Sequence, residues 1–242
     1  PSEYRNTSRR TCNEKEFTTQ ELEYLQALYD GEIRFTDENV GGLIEGLKGL
    51  GVYNKTIIVI IGDHAEEFQE HGGCDHGHSL YDELIHVPMF MRIPSLENTG
   101  KISQQVREID ILPTVFDVLD IQYKADGVSL IPLIHGLNKS DLVVFSEAIH
   151  PSYAPEQKAV RHKGYKLIYQ PPSKREEERW EFYDLQNDVM EQRQIIPEQG
   201  IRDELSELLL KFLSETERNQ TQSEIEYEGD VEERLKSIGY IV

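Results

Sequence analysis

Asp63 and His64 stand directly after the apolar run Thr56–Ile61, and His71, Asp75, His76 and His78 follow within the next fifteen positions. A carboxylate and an imidazole at the end of a buried strand have little positional freedom and can share one divalent cation or divide between two. Packing alone has no need for three imidazoles and a carboxylate in the eight positions 71–78, and Gly72, Gly73 and Gly77 let the backbone approach a ligand closely. Neutral imidazole binds transition metals through one nitrogen, while the other donates to a supporting carboxylate such as Asp75 or Glu67. The spacing is not HExxH, an EF-hand or a cysteine zinc site, so it does not assign the ligands. His64 and His76 are the first candidates, with His78 as a ligand or anion donor. His71 divides between ligand and loop organiser, His86 reads as structural, and Asp63 taken alone could simply order a loop.

The elements around these residues are legible from periodicity. Thr18 precedes Glu21 by three positions, a capping-box spacing. After it, Leu22, Leu25, Tyr29, Ile33, Thr36, Val40, Leu43, Leu47 and Leu50 recur every three or four residues, which predicts one helix or two nearly collinear ones. Gly31, Gly41 and Gly42 weaken that helix, and close packing against a neighbour, or a bend near Gly31, would explain them. The run TIIVII lacks polar alternation, as expected of a strand buried on both faces of a parallel sheet. Val87–Ile93 is a second strand, Asp110 to Leu119 a helix, and Val128–Ile134 an apolar connection. Beyond residue 137 the texture changes to short strands at Leu142–Phe145, Ala159–His162, Tyr165–Tyr169 and Trp180–Tyr183, with Lys163–Gly164 as a hairpin turn. Asp203–Thr216 carries one apolar helical face, Asn219–Gly229 reads as a polar linker, and Asp230–Ser237 as a short last helix. The expected division is an α/β body over 1–137, an antiparallel unit over 138–197, and helices and tail over 198–242.

Bulk properties narrow the function classes. With 25 Lys and Arg against 45 Asp and Glu, the net charge is −20, which repels phosphate backbones and disfavours nucleic-acid binding. No apolar run reaches the roughly 18 to 20 residues of a membrane span. Two cysteines, Cys12 and Cys74, do not make a disulfide framework, so a bridge between them is not expected. No compartment is fixed by the sequence; a soluble, cytoplasmic location is compatible with it.

The motifs resemble the sulfatase family of the alkaline-phosphatase superfamily. They are YDGEI at Tyr29–Ile33, GVYNKTIIVIIGDHAEEFQEHG at Gly51–Gly72, HGHSLYDELIHVPMFMRIP at His76–Pro94, IDILPTVFDVLD, DGVSLIPLIHG at Asp126–Gly136, AVRHKGYKLIY and EFYDLQNDVMEQ, in family order. The resemblance implies an alkaline-phosphatase-like mixed α/β sheet flanked by helices, with a small C-terminal antiparallel sheet subdomain. It implies that Asp63 and His64 are the metal pair after the strand, and that His76 lies where a lysine or histidine contacts the metal or the transferred anion. His76 or His78 would then stabilise the anion or act as acid, and Lys163 or His162 would approach a small sulfated or phosphorylated substrate.

Two departures stand out. The family's Cys-x-Pro-x-Arg or Ser-x-Pro-x-Arg nucleophile motif is not present, since Asn13, Glu14 and Lys15 follow Cys12. Ala65 stands where the family has glycine, at a cost of about 1 kcal/mol if the position needs a left-handed backbone. The expectation is therefore the C-terminal part of a metal-dependent sulfate-ester hydrolase, inactive without the missing N-terminal half of its fold. The metal would be calcium for a sulfatase, and zinc or manganese for the alternative, a phosphodiesterase or phosphotransferase of the same superfamily. A non-catalytic binding protein is the third reading.

Overall fold

A computed structural model describes residues 16–94, 96, 100–137, 142–149, 155–173 and 177–220. It opens with helix α1, Thr19–Gly49, whose N-terminus is closed by the expected capping box: Thr18 Oγ1 accepts the Glu21 N–H at 3.3 Å and Glu21 Oε2 accepts the Thr18 N–H at 2.9 Å. The helix is continuous through Gly31 and buries no residue. Its apolar stripe therefore has little cover: Ile33, Phe35, Leu43 and Leu50 are exposed, and a Cβ added at Gly31, Gly41 or Gly42 would meet nothing within 4 Å. Close packing around these glycines, expected from the sequence, is not found.

Strand β1, Ile58–Ile61, pairs antiparallel with β4, Met89–Arg92, in the register Ile58↔Arg92 to Ile61↔Met89. This corrects the expectation of a parallel strand buried on both faces, because Ile60 and Phe90 are exposed and no further strand pairs with either among the described residues. Between them lie the two-residue strands β2, Glu67–Phe68, and β3, Cys74–Asp75, which pair with each other, and the short helix α2, Asp82–Ile85. Helices α3, Ile111–Val118, and α4, Ile131–Ile134, follow.

The four strands β5 (Val144–Ala148), β6 (Gln157–His162), β7 (Tyr165–Gln170) and β8 (Arg179–Asp184) form one antiparallel sheet in that order. Lys163 and Gly164 both hold positive φ (52° and 78°), the geometry of a tight two-residue hairpin. Alternation along the strands gives the sheet two apolar faces. Val160, Leu167 and Phe182 pack on Leu205 and Leu209 of α5, Gln199–Gln220. Ala159, Ile168 and Tyr183 pack on Leu80, with Tyr81 and Ile85 at the margin. The second face matters for function, because Leu80 and Tyr81 lie just beyond the histidine-rich loop and anchor its far end. The expected polar linker and last helix fall almost wholly outside the described residues. No described helix is long and apolar enough to cross a membrane.

Candidate metal centre

The loop leaving β1 brings His64, Glu66 and His76 together. One ligand atom from each lies within 4.8 Å of the others, close enough to share a divalent cation, with Glu66 and His76 half-buried and His64 exposed. Glu66 and His76 become cross-strand neighbours because Glu67 pairs with Asp75, which sets the preceding and following residues opposite one another. His76 Nδ1 lies 2.8 Å from Glu66 Oε1 and 2.8 Å from Asp75 Oδ1, and its ring stacks on His64 at 3.9 Å between centroids. His64 Nδ1 is 3.1 Å from the Ala65 carbonyl, which leaves Nε2 as its outward donor atom. Glu66 is the member that the sequence reading missed. Its signal was the i, i+2 spacing from His64, which on extended chain sends both side chains to one side.

Asp63 is exposed, and its Oδ1 accepts the His64 N–H at 3.0 Å. It stands beside the convergent trio: the Tyr29 hydroxyl, its pKa raised by burial and then by the charges of Glu66 and Asp63, feels both carboxylates at once. Ala65 is not among the residues with positive φ, so the family's glycine is not needed for a left-handed backbone here.

The other histidines are engaged elsewhere. His78 Nε2 lies 2.6 Å from Glu67 Oε2. Burial pushes the Glu67 carboxyl up, but the His78 contact and the Gly73 and His71 N–H groups outweigh it and hold it below the usual range. His71 is gripped at both nitrogens, by Glu83 Oε1 at 2.5 Å and the Glu191 carbonyl at 3.0 Å, and its ring stacks on Tyr81. Burial lowers its pKa, yet Glu83 and the carbonyl override that and raise it to about 9. Behind Glu67, His71 and His78 lies a cavity of about 310 Å3, bounded across the gap by Gln157, Gln170 and Arg179 of the antiparallel sheet.

Lys163 and His162 sit on the β6–β7 hairpin and face α5. Lys163 Nζ is 2.6 Å and His162 Nε2 3.4 Å from Glu204 Oε1. Cys74, expected to be free, is disulfide-bonded, and the chain's other cysteine, Cys12, lies outside the described residues.

A clamp of buried charge joins the loop's exit to the antiparallel sheet. Lys166 Nζ lies 2.8 Å from Asp82 Oδ1 and 2.7 Å from Glu191 Oε1, Arg161 Nη1 reaches Asp82 Oδ2 at 2.5 Å, and Glu191 Oε2 accepts the Asp82 N–H at 2.6 Å. Burial raises the pKa of Asp82, but Lys166 and Arg161 reverse it to a net lowering; at Glu191 burial prevails and the pKa is raised.

Residues 1–121 match the Sulfatase family and residues 69–219 match "N-sulphoglucosamine sulphohydrolase, C-terminal". Among curated relatives, arylsulfatase K of Danio rerio is 30% identical over 156 residues, covering 64% of this chain and 28% of that protein. The N-acetylglucosamine-6-O-sulfatase of Bacteroides thetaiotaomicron is 28% identical over 200 residues, covering 78% and 35%. The chain thus spans about a third or less of these relatives. A solved complex with the substrate D-glucosamine-2-N,6-O-disulfate superposes with a TM-score of 0.61 at 24% identity, over 78% of this chain and 39% of that one. A Bacteroides thetaiotaomicron structure, provisionally described as a sulfatase, gives 0.74 at 20% identity, over 92% and 49%. These superpositions show that the chain shares the fold of those solved structures. With half of its 242 residues matched by the family and the metal-loop motifs in place, the chain belongs to the sulfatase family.

Proposed function

We propose that this chain is the C-terminal part of a metal-dependent hydrolase of sulfate esters, and that it holds one side of the metal centre. The observation that carries this reading is the convergence of His64, Glu66 and His76 at the carboxyl end of β1, with Asp63 beside them. A divalent cation bound there would supply Lewis-acid stabilisation of charge developing on the sulfuryl oxygens. His64, Glu66 and Asp63 would hold it. His76, kept in place by Glu66 and Asp75, would present its ring to the transferred group as ligand or proton donor. His78 would act on the reaction only after release from Glu67, and Lys163 and His162 would reach a substrate only by leaving Glu204.

The nucleophile and the remaining metal ligands would come from the missing N-terminal half of the fold. Ile60, Phe90 and the α1 stripe are the apolar surface that this half would cover. The relatives' names point to sulfated saccharides as the substrate class. A disulfide at Cys74 fits an oxidising compartment better than the cytoplasm.

One observation favours the second reading, a phosphodiesterase or phosphotransferase: two imidazoles and one carboxylate suit zinc or manganese, whereas calcium prefers an all-oxygen set. Titrating the chain with calcium, manganese and zinc separates the two, and His76→Ala or Glu66→Ala should weaken whichever binds by tenfold or more. Binding unaffected by both variants removes this site from consideration. The chain alone should not turn over aryl sulfate or bis-aryl phosphate, and turnover abolished by Asp63→Ala would refute the need for an upstream half.

A further inference from the structure

The pairing of β2 with β3 is two residues long, Glu67↔Asp75 and Phe68↔Cys74, extended by one backbone bond from the Gln69 N–H to the Gly73 carbonyl at 2.9 Å, so short a ladder that side-chain contacts weigh in fixing its register. Register nevertheless decides the site. A slip of one residue would send His76 to the opposite side of the hairpin from Glu66 and His64.

We propose that Glu67 is a positioning residue for the His64, Glu66 and His76 cluster, locking the hairpin in the register that sets His76 against Glu66. Its carboxylate is 1% exposed and filled by donors from three points of the loop. Oε1 accepts the His71 N–H at 3.0 Å and the Gly73 N–H at 2.6 Å, which closes the turn between the strands. Oε2 lies 2.6 Å from His78 Nε2, which ties down the chain two residues past His76. The two tethers act on neighbouring points: Glu66 meets His76 in the register of the strands, and Glu67 holds His78 just past it. Gly73 gives the clamp its room, since a Cβ there would collide with His78 Nε2 and lie 2.8 Å from Glu67 Oε2. With its acceptors occupied and its surface covered, Glu67 acts through the hairpin rather than on substrate, and His78 is its partner. The functional half of this inference rests on the metal-site reading; the geometric half does not.

The test uses the whole 242-residue chain with labelled histidines. In metal-free protein, the His64 and His76 rings should show a strong mutual NOE. Glu67→Gln and, independently, Gly73→Ala should reduce it at least threefold while the amide signals of Val160 and Leu167 stay in place. His78→Gln keeps an N–H donor for Glu67 and should retain the NOE, whereas His78→Ala should lose it. Glu67→Gln should also weaken manganese or zinc binding by about 10-fold to 100-fold, the range for residues that orient metal ligands. If Glu67→Gln and Gly73→Ala both keep the NOE, or lose it only along with the Val160 and Leu167 signals, Glu67 is not a specific positioner and the proposal falls. If the wild-type chain binds neither metal but the NOE still depends on Glu67, the metal reading fails and the positioning role stands.

Discussion

Removing the His71 ring should cost stability in a way that fades as pH rises. His71 is held by Glu83 and the Glu191 carbonyl, a pair of acceptors that only the doubly protonated imidazolium can satisfy. Its folded pKa of about 9 lies above the value of 6.5 expected when unfolded. A raised pKa means that the folded state binds the proton more tightly, so the contribution is complete below pH 6.5 and is lost as pH climbs through 9. At about 1.4 kcal/mol per unit the full shift corresponds to about 3 kcal/mol, and screening by solvent at a half-covered loop reduces this to about 1 to 2 kcal/mol. The assay is urea unfolding of wild type and His71→Gln, followed by fluorescence of the single tryptophan, Trp180, on β8. Taking the difference between the two proteins cancels the titrations they share. That difference should be larger at pH 6 than at pH 10 by about 1 to 2 kcal/mol. A difference that stays constant or grows with pH would show that His71 is held neutral and that the clamp reading is wrong.

Much of the frame was legible because it is written locally. The Thr18 and Glu21 cap, the Lys163–Gly164 turn and the alternating strands β6 to β8 depend on neighbours within a few residues, and all three are found. The surroundings of β1 were not legible in this way. TIIVII says that an apolar strand wants cover, but not which chain segment supplies it, and here Ile60 and Phe90 stay exposed beside an antiparallel partner. The candidate site was half legible. His64 and His76 stood out by residue type, whereas the place of Glu66 depends on a register fixed by buried Glu67, and charge counting saw only a run of acids. The grip on His71 comes from Glu191, 120 positions away, a distance no local pattern carries.

Three further outcomes test the energetics around the site. Leu209→Ala, at a position with no exposure under the antiparallel sheet, should cost about 2 to 5 kcal/mol by urea unfolding, and less than 1 kcal/mol would mean that α5 does not seal that face. Thr18→Ala should lower stability of the α1 N-terminus by about 1 kcal/mol, seen as faster amide exchange confined to its first turns. Lys166→Met should be the most damaging of the three. Lys166 is 1% exposed and lies between Asp82 and Glu191, so removing its charge leaves two covered carboxylates facing each other with only Arg161 to balance them. Breaking a buried ion pair from one side costs about 3 to 5 kcal/mol. The loss should shrink in Lys166→Met combined with Glu191→Gln, because the second change removes the charge that burial already disfavours. A double variant no more stable than the single one would show that the energy lies in the fit of the lysine chain rather than in its charge.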